Sequence, residues 1–115
     1  MATKDDAALL VQILQWASQS GIDDSMFAVF DEEFDPANAS IRDRDVRNVL
    51  NFGETVGTLV RQHLLDADLV HDLWAVEMGW NKVSKAALQV RERSGEPRMY
   101  ENFEALARQR VAVGV

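Results

Sequence analysis

The chain of 115 residues contains no cysteine, two prolines and no long apolar run. The missing cysteine excludes disulfide bonds, thiolate metal sites and thiol nucleophiles, and it suits a cytoplasmic protein. No apolar stretch approaches the roughly 18–20 residues that a membrane-spanning helix needs. The N-terminal segment lacks the pattern of a signal peptide. We therefore expect a cytoplasmic protein that does not associate with a membrane.

The negative charge is concentrated in the first part of the chain. The formal net charge is −7, and residues 1–45 hold ten acidic and three basic side chains, whereas residues 46–115 hold nine of each. An acidic chain repels nucleic acid, so we expect no nucleic-acid partner. The acidic part is either a solvated face or a surface that pairs with a basic partner, including the basic C-terminal end of a second copy.

Apolar residues recur at helical spacing in five segments, and no segment alternates with period two. The pattern predicts an all-α fold, a single-domain bundle of about five helices over residues 1–115. We expect N-terminal helices within residues 1–38 and a helical core over residues 40–111.

Capping residues and helix breakers set the expected boundaries. Capping boxes that begin at Thr3 and Ser40 predict the starts of the first and third helices. The fourth helix is predicted to run from about residue 67 to residue 93, and Gly79 is the position where it would kink. Pro97 fits the first turn of the fifth helix.

The third helix has the most informative pattern. Its apolar face covers about half of the circumference, which suits a central helix with several neighbours. Gly53 and Gly57 lie on that face, four residues apart, and indicate that a neighbouring element approaches closely. Glu54 lies at the edge of the face, where a carboxylate needs a charged or hydrogen-bonding partner.

Several separate pieces of the sequence share their spacing with a known family. The pieces are Asn51–Gly57, Leu59–Arg61, Leu65–Asp66, Leu69–Val70, a long helix with a tryptophan and a late arginine at Arg91, and Pro97–Leu106. On these pieces, the segment from Val49 to Ala107 resembles a family of small bacterial all-helical proteins catalogued as a domain of unknown function. The resemblance covers about half of the chain and leaves residues 1–40 outside. It implies an all-helical domain and supplies no activity, cofactor or partner.

Polar residues on the third and fourth helices predict an ion pair. Glu54 is expected to pair with Arg91 of the neighbouring helix, with added hydrogen bonds from Tyr100 or Asn102. The alternative is that Glu54, Glu77, Arg91 and Tyr100 line a small polar pocket, which would suit a ligand-binding or enzymatic domain.

Motifs for metal binding and covalent catalysis are missing from the sequence. His63 and His71 are eight residues apart, and no Glu-x-x-His or His-Glu-x-x-His spacing occurs, so we expect no metal and no cofactor. No triad spacing and no phosphate-binding loop supports the enzymatic alternative.

Trp74 and Met78 lie four residues apart and off the main apolar stripe of the fourth helix. They either cover another core surface beside Trp16 or form a protein-binding patch. The leading hypothesis is a non-enzymatic protein-interaction or self-association module, with Trp74 and Met78 as its contact. A small-ligand-binding or enzymatic domain at Glu54, Arg91 and Tyr100 is the alternative.

Overall fold

Six α-helices and one short 3-10 helix form the structure, a computed structural model that describes the backbone of residues 2–113 and the side chains of residues 2–109. The α-helices are α1 (Lys4–Gln19), α2 (Ile22–Phe30), α3 (Arg44–Arg61), α4 (Ala67–Leu73), α5 (Val76–Ser94) and α6 (Glu101–Val113), and the 3-10 helix (Pro36–Asn38) precedes α3. No strand occurs within residues 2–113. The predicted all-α fold is confirmed, with one α-helix more than the expected number of about five.

Helix α3 lies at the centre and contacts α2, α5 and α6. Its apolar stripe supplies Val46, Val49 and Leu50 to the core, all completely buried. On the α2 side, buried Ser25 donates a hydrogen bond to Asp45 (2.8 Å) and accepts one from Asn48 (2.9 Å). The wide apolar face therefore serves several neighbours at once, as its width predicts.

Of the two predicted capping boxes, the one at Thr3 is present and caps α1. The Thr3 hydroxyl accepts the Asp6 amide (3.2 Å), and the Asp6 carboxylate accepts the Thr3 amide (2.7 Å). The prediction that a capping box at Ser40 opens the third helix is wrong. Helix α3 is capped by Asp43, which accepts the Asp45 amide at 2.8 Å, so Ser40 lies in the preceding turn.

The predicted fourth helix is divided into α4 and α5 by Trp74 and Ala75. Trp74 leaves the helical conformation, with φ −132° and ψ 137°. Its indole packs between Phe52 and Phe103. Gly79 lies inside α5 beside this ring, because a Cβ there would come within 3.3 Å of the indole. The single helix over residues 67–93 is thus wrong, and the interruption lies five residues before the expected kink.

The connection between α5 and α6 is longer than the sequence predicts. Helix α5 ends at Gly95, which has φ +71°, a conformation that suits glycine. Pro97 lies in the turn before α6 rather than in its first helical turn. No helix within residues 2–113 combines the length and the apolar character that crossing a membrane requires.

Candidate functional site

The Glu54 carboxylate binds the first turn of α6. Its Oε1 accepts the backbone N–H groups of Asn102 and Phe103, each at 3.0 Å. Its Oε2 accepts the Asn102 side-chain amide at 2.9 Å, whereas the Thr58 hydroxyl, 3.5 Å from Oε2, donates to the Glu54 backbone carbonyl at 2.7 Å. Asn102 and Phe103 are the second and third residues of α6, so Glu54 occupies the place of an N-cap side chain. Of Tyr100 and Asn102, the two residues expected to add a hydrogen bond at Glu54, Asn102 does so.

The two glycines of α3 admit this first turn of α6. A Cβ at Gly53 would clash with the ring of Phe103. A Cβ at Gly57 would clash with the Asn102 carbonyl oxygen and would lie 2.6 Å from its carbon. The close approach inferred from the glycine spacing is therefore present within the chain, and α6 is the neighbouring element.

Arg91 has a different acidic partner from the one that the sequence predicts. Its guanidinium donates to Glu104 Oε1 at 3.1 Å and to the Met99 carbonyl at 2.7 Å. Glu104 also accepts from Arg108 at 2.7 Å. The predicted pairing of Glu54 with Arg91 is wrong because backbone amides of α6 occupy the Glu54 carboxylate. Both side chains nevertheless hold the same helix, at two points of its first turn.

Tyr100 immediately precedes α6 and has φ +61°, which is rare for a bulky residue. Burial, and then the charge of Glu54, raises the pKa of the Tyr100 phenol. Glu77, the fourth member of the proposed polar pocket, has an exposed side chain on α5. The groove beside Glu54 is lined by residues of α3, namely Asn51, Glu54, Thr55, Thr58 and Leu59, so it does not unite the four predicted residues.

The chemistry available at Glu54 follows from its hydrogen bonds. A carboxylate offers about four lone-pair positions, and three N–H groups of α6 donate to this one. The arrangement is that of a structural anchor for α6.

Trp74 belongs to a row of aromatic rings that crosses the interior. Trp16 stacks on Phe52 (6.2 Å between centroids), Phe52 meets Trp74 edge to face (5.0 Å), and Trp74 stacks on Phe103 (5.5 Å). Trp80 meets the other end of the row at Phe103 (5.2 Å). Trp74 therefore packs against the core, with Phe52 between it and Trp16, which agrees with the first of its two predicted roles. Met78 is 53% exposed and lies on the surface of α5.

An apolar cavity of about 220 Å³ opens beside this aromatic row. Four helices, α1 to α4, and the adjoining Trp74 supply its walls: Leu10, Leu14, Ala17, Asp23, Met26, Phe52, Val56, Val70, Leu73 and Trp74. Asp23 is the single charged residue among the described residues that line it. The cavity exceeds the roughly 150 Å³ of an apolar cavity that binds benzene. It can hold an aromatic ring or a branched aliphatic group.

Large apolar side chains remain exposed on the helices around the cavity. Leu14 of α1 and Leu73 of α4 line it and are 39% and 54% exposed. Phe27 of α2 is 78% exposed and follows Asp23 by one helical turn. Together with Val11 of α1, these side chains form a set that we call the apolar rim: Val11, Leu14, Phe27 and Leu73. Leu14 and Leu73 border the cavity, and Val11 and Phe27 lie on helices that line it. Exposed apolar groups near a cavity are typical of binding surfaces.

The sequence does not reveal the cavity. Its lining residues are divided among segments that lie far apart in the chain, and each one fits an ordinary apolar stripe. Phe27 indicates an exposed apolar surface on α2, because it lies one helical turn after Asp23. No group of three or more histidine and carboxylate side chains within the described part of the chain could hold a metal ion.

The chain belongs to the family described as a domain of unknown function (DUF4760), whose model matches residues 2–110. The predicted resemblance is thus confirmed, and it extends over the N-terminal helices that the sequence pieces had left outside. No curated protein and no solved structure matches the chain.

Proposed function

We propose that this family member is a non-catalytic interaction module that takes an apolar side chain of a partner protein into the cavity between α1, α2, α3 and α4. The observation that carries the proposal is an apolar cavity whose lining includes exposed Leu14 and Leu73, on helices that expose further apolar side chains. Burying such side chains against a partner contributes about 25 cal/mol for each Å² of apolar area removed from water, and this gain opposes the loss of translational and side-chain freedom on association.

The size of the cavity favours a protein partner over a free ligand. Small-molecule sites usually enclose about 300–1,000 Å³, whereas this cavity has about 220 Å³. That space suits one side chain, and the rim then supplies the rest of the contact. Of the two residues that the sequence predicts as the contact, Trp74 forms a wall of the cavity. Met78 lies on α5 and does not line it.

The test uses a neutral amphipathic peptide of about 18 residues, which is five helical turns, with leucine on one face and glutamine elsewhere. Binding is followed by tryptophan fluorescence, because Trp74 lines the cavity. We expect a saturable change in emission that is weakened about tenfold in Leu73→Gln. Leu88→Gln is the matched control, since Leu88 is similarly exposed (51%) but does not line the cavity.

Two outcomes contradict the proposal. Equal binding by wild type, Leu73→Gln and Leu88→Gln would show that the peptide binds elsewhere, and no binding at all would show that the cavity accepts no helix.

Light scattering of the protein alone addresses self-association. A strict monomer at high concentration would exclude the version in which the partner is a second copy.

A further inference from the structure

We infer that the partner which occupies the cavity is a basic amphipathic helix, an inference that rests on the proposed function. The three helices that frame the cavity mouth, α1, α2 and α4, carry five exposed carboxylates and one exposed ammonium group. They are Asp5, Asp23, Asp24, Asp68 and Asp72, with Lys4 as the cation. Asp23 lines the cavity and Asp72 adjoins Leu73 of its lining. Carboxylates at these positions attract lysine and arginine side chains and repel acidic partners.

Charge and apolar area lie side by side on this surface. Asp23 lines the cavity, and Phe27 follows it by one turn on the same side of α2. On α4, Asp72 directly precedes Leu73 of the rim. A helix with leucine-type side chains at positions i, i+3 or i+4, and i+7 matches an apolar groove of this kind. Basic residues flanking those positions would then face the carboxylates.

A second copy of the chain supplies a poorer match. Helix α5 carries exposed Met78 and Leu88, but its exposed charges are balanced: Glu77 and Glu92 against Lys85 and Arg93. Arg91 of the same helix is paired with Glu104. In addition, α5 placed on the cavity of the next molecule would join two different surfaces, a contact that forms rings or open filaments rather than a two-fold dimer. A separate basic partner is therefore the better occupant.

The experiment compares three peptides that share one leucine face and carry lysine, glutamine or glutamate at the polar positions. Affinity is measured by calorimetry and tryptophan fluorescence at low and high salt. We expect the lysine peptide to bind at least about tenfold more tightly than the glutamine peptide, and the glutamate peptide to bind most weakly. The advantage of the lysine peptide should shrink at high salt, because salt screens exposed charges over about 10 Å at 0.1 M.

Charge variants identify the carboxylates responsible. The triple variant Asp23→Asn, Asp24→Asn and Asp72→Asn should bring the lysine and glutamine peptides to within about twofold of each other. Glu92→Gln removes an acidic group from α5 and should leave the tenfold ratio unchanged. Circular dichroism and thermal unfolding of each variant confirm that the fold is retained, and all four positions are exposed.

The outcomes separate this inference from the proposed function. If the lysine and glutamine peptides bind equally well and both bind more weakly to Leu73→Gln, the inference of a basic partner is wrong. The cavity would still be a binding site. Absence of Leu73-dependent binding for every peptide would overturn both. A dimer of the protein alone that dissociates in Leu73→Gln would replace the basic helix with a second copy.

Discussion

Glu54 Oε1 lies 3.0 Å from the backbone nitrogen of Phe103, so a carboxylate of α3 caps α6 from outside that helix. The residue that precedes α6, Tyr100, has no short polar side chain that could perform this task. The anion also lies at the helix end where the macrodipole favours negative charge. Capping of α6 therefore explains why a carboxylate, Glu54, lies at the edge of the apolar face of α3.

Replacing Glu54 by alanine should lower the free energy of unfolding by about 2 kcal/mol, because two amides of α6 lose their acceptor. Glu54→Gln should cost less, since its remaining oxygen can still accept both amides. Chemical denaturation monitored by circular dichroism measures the difference. Glu92→Ala is the control, and we expect it to change stability by less than about 0.5 kcal/mol. Equal stability of wild type and Glu54→Ala would contradict the capping role.

Gly57→Ala should destabilise the protein by about 2 kcal/mol, because the added methyl group meets the backbone of α6 and forces the two helices apart. The nearest atoms are the Asn102 carbonyl group and the Phe103 nitrogen, the latter at 2.9 Å from the new Cβ. Backbone atoms cannot move away as a flexible side chain can. The midpoint of urea unfolding gives the measurement.

Thr55→Ala provides the comparison on the same helix. Thr55 is exposed, and its hydroxyl bonds only to the Asn51 carbonyl one turn earlier. Alanine has the higher helix propensity, so this variant should be as stable as wild type or slightly more stable. If both variants behaved alike, steric contact at Gly57 would not be the reason for the glycine.

The sequence predicts the contact surface of α3 better than it predicts the partners on it. Gly53 and Gly57 indicate close packing and Glu54 indicates a required partner, since these properties belong to α3 alone. The partner was misidentified because the amide donors depend on where α6 begins. Trp74 illustrates the same limit: the local pattern continues as a helix, and the interruption arises from the packing of its indole between two distant rings. The cavity needs four helices, so no single segment reveals it.

Tyr100 should titrate above its ordinary pKa of about 10, because burial and the nearby Glu54 charge disfavour the phenolate. Because the pKa is raised in the folded state, the neutral phenol adds to the free energy of unfolding, and this contribution is complete at pH values below the pKa of the unfolded protein. That contribution is lost as the pH rises through the folded pKa. Stability should therefore fall at alkaline pH more steeply in wild type than in Tyr100→Phe.

Phenolate absorbance gives a clean measurement of this titration, because Tyr100 is the sole tyrosine of the chain. The folded protein should ionise at higher pH than the urea-unfolded protein. In Glu54→Gln the folded pKa should move back toward the ordinary value, since one of its two causes is removed. Coincident titration curves for the folded and unfolded protein would contradict the burial of the phenol.

His63→Gly should raise the free energy of unfolding by about 0.5–1 kcal/mol, because a left-handed backbone conformation is strained for residues with a Cβ. His63 follows the last turn of α3 with φ +60°. Its amide donates to the Val60 carbonyl and the Leu64 amide donates to the Leu59 carbonyl, which is the Schellman arrangement that favours glycine at this position. Gln62→Gly is the matched control: Gln62 has φ −82°, so glycine there relieves no strain and should leave stability unchanged or lower. Thermal and urea unfolding should show a gain of stability in His63→Gly and no gain in Gln62→Gly, whereas a loss in both would show that the His63 side chain contributes more than its backbone costs.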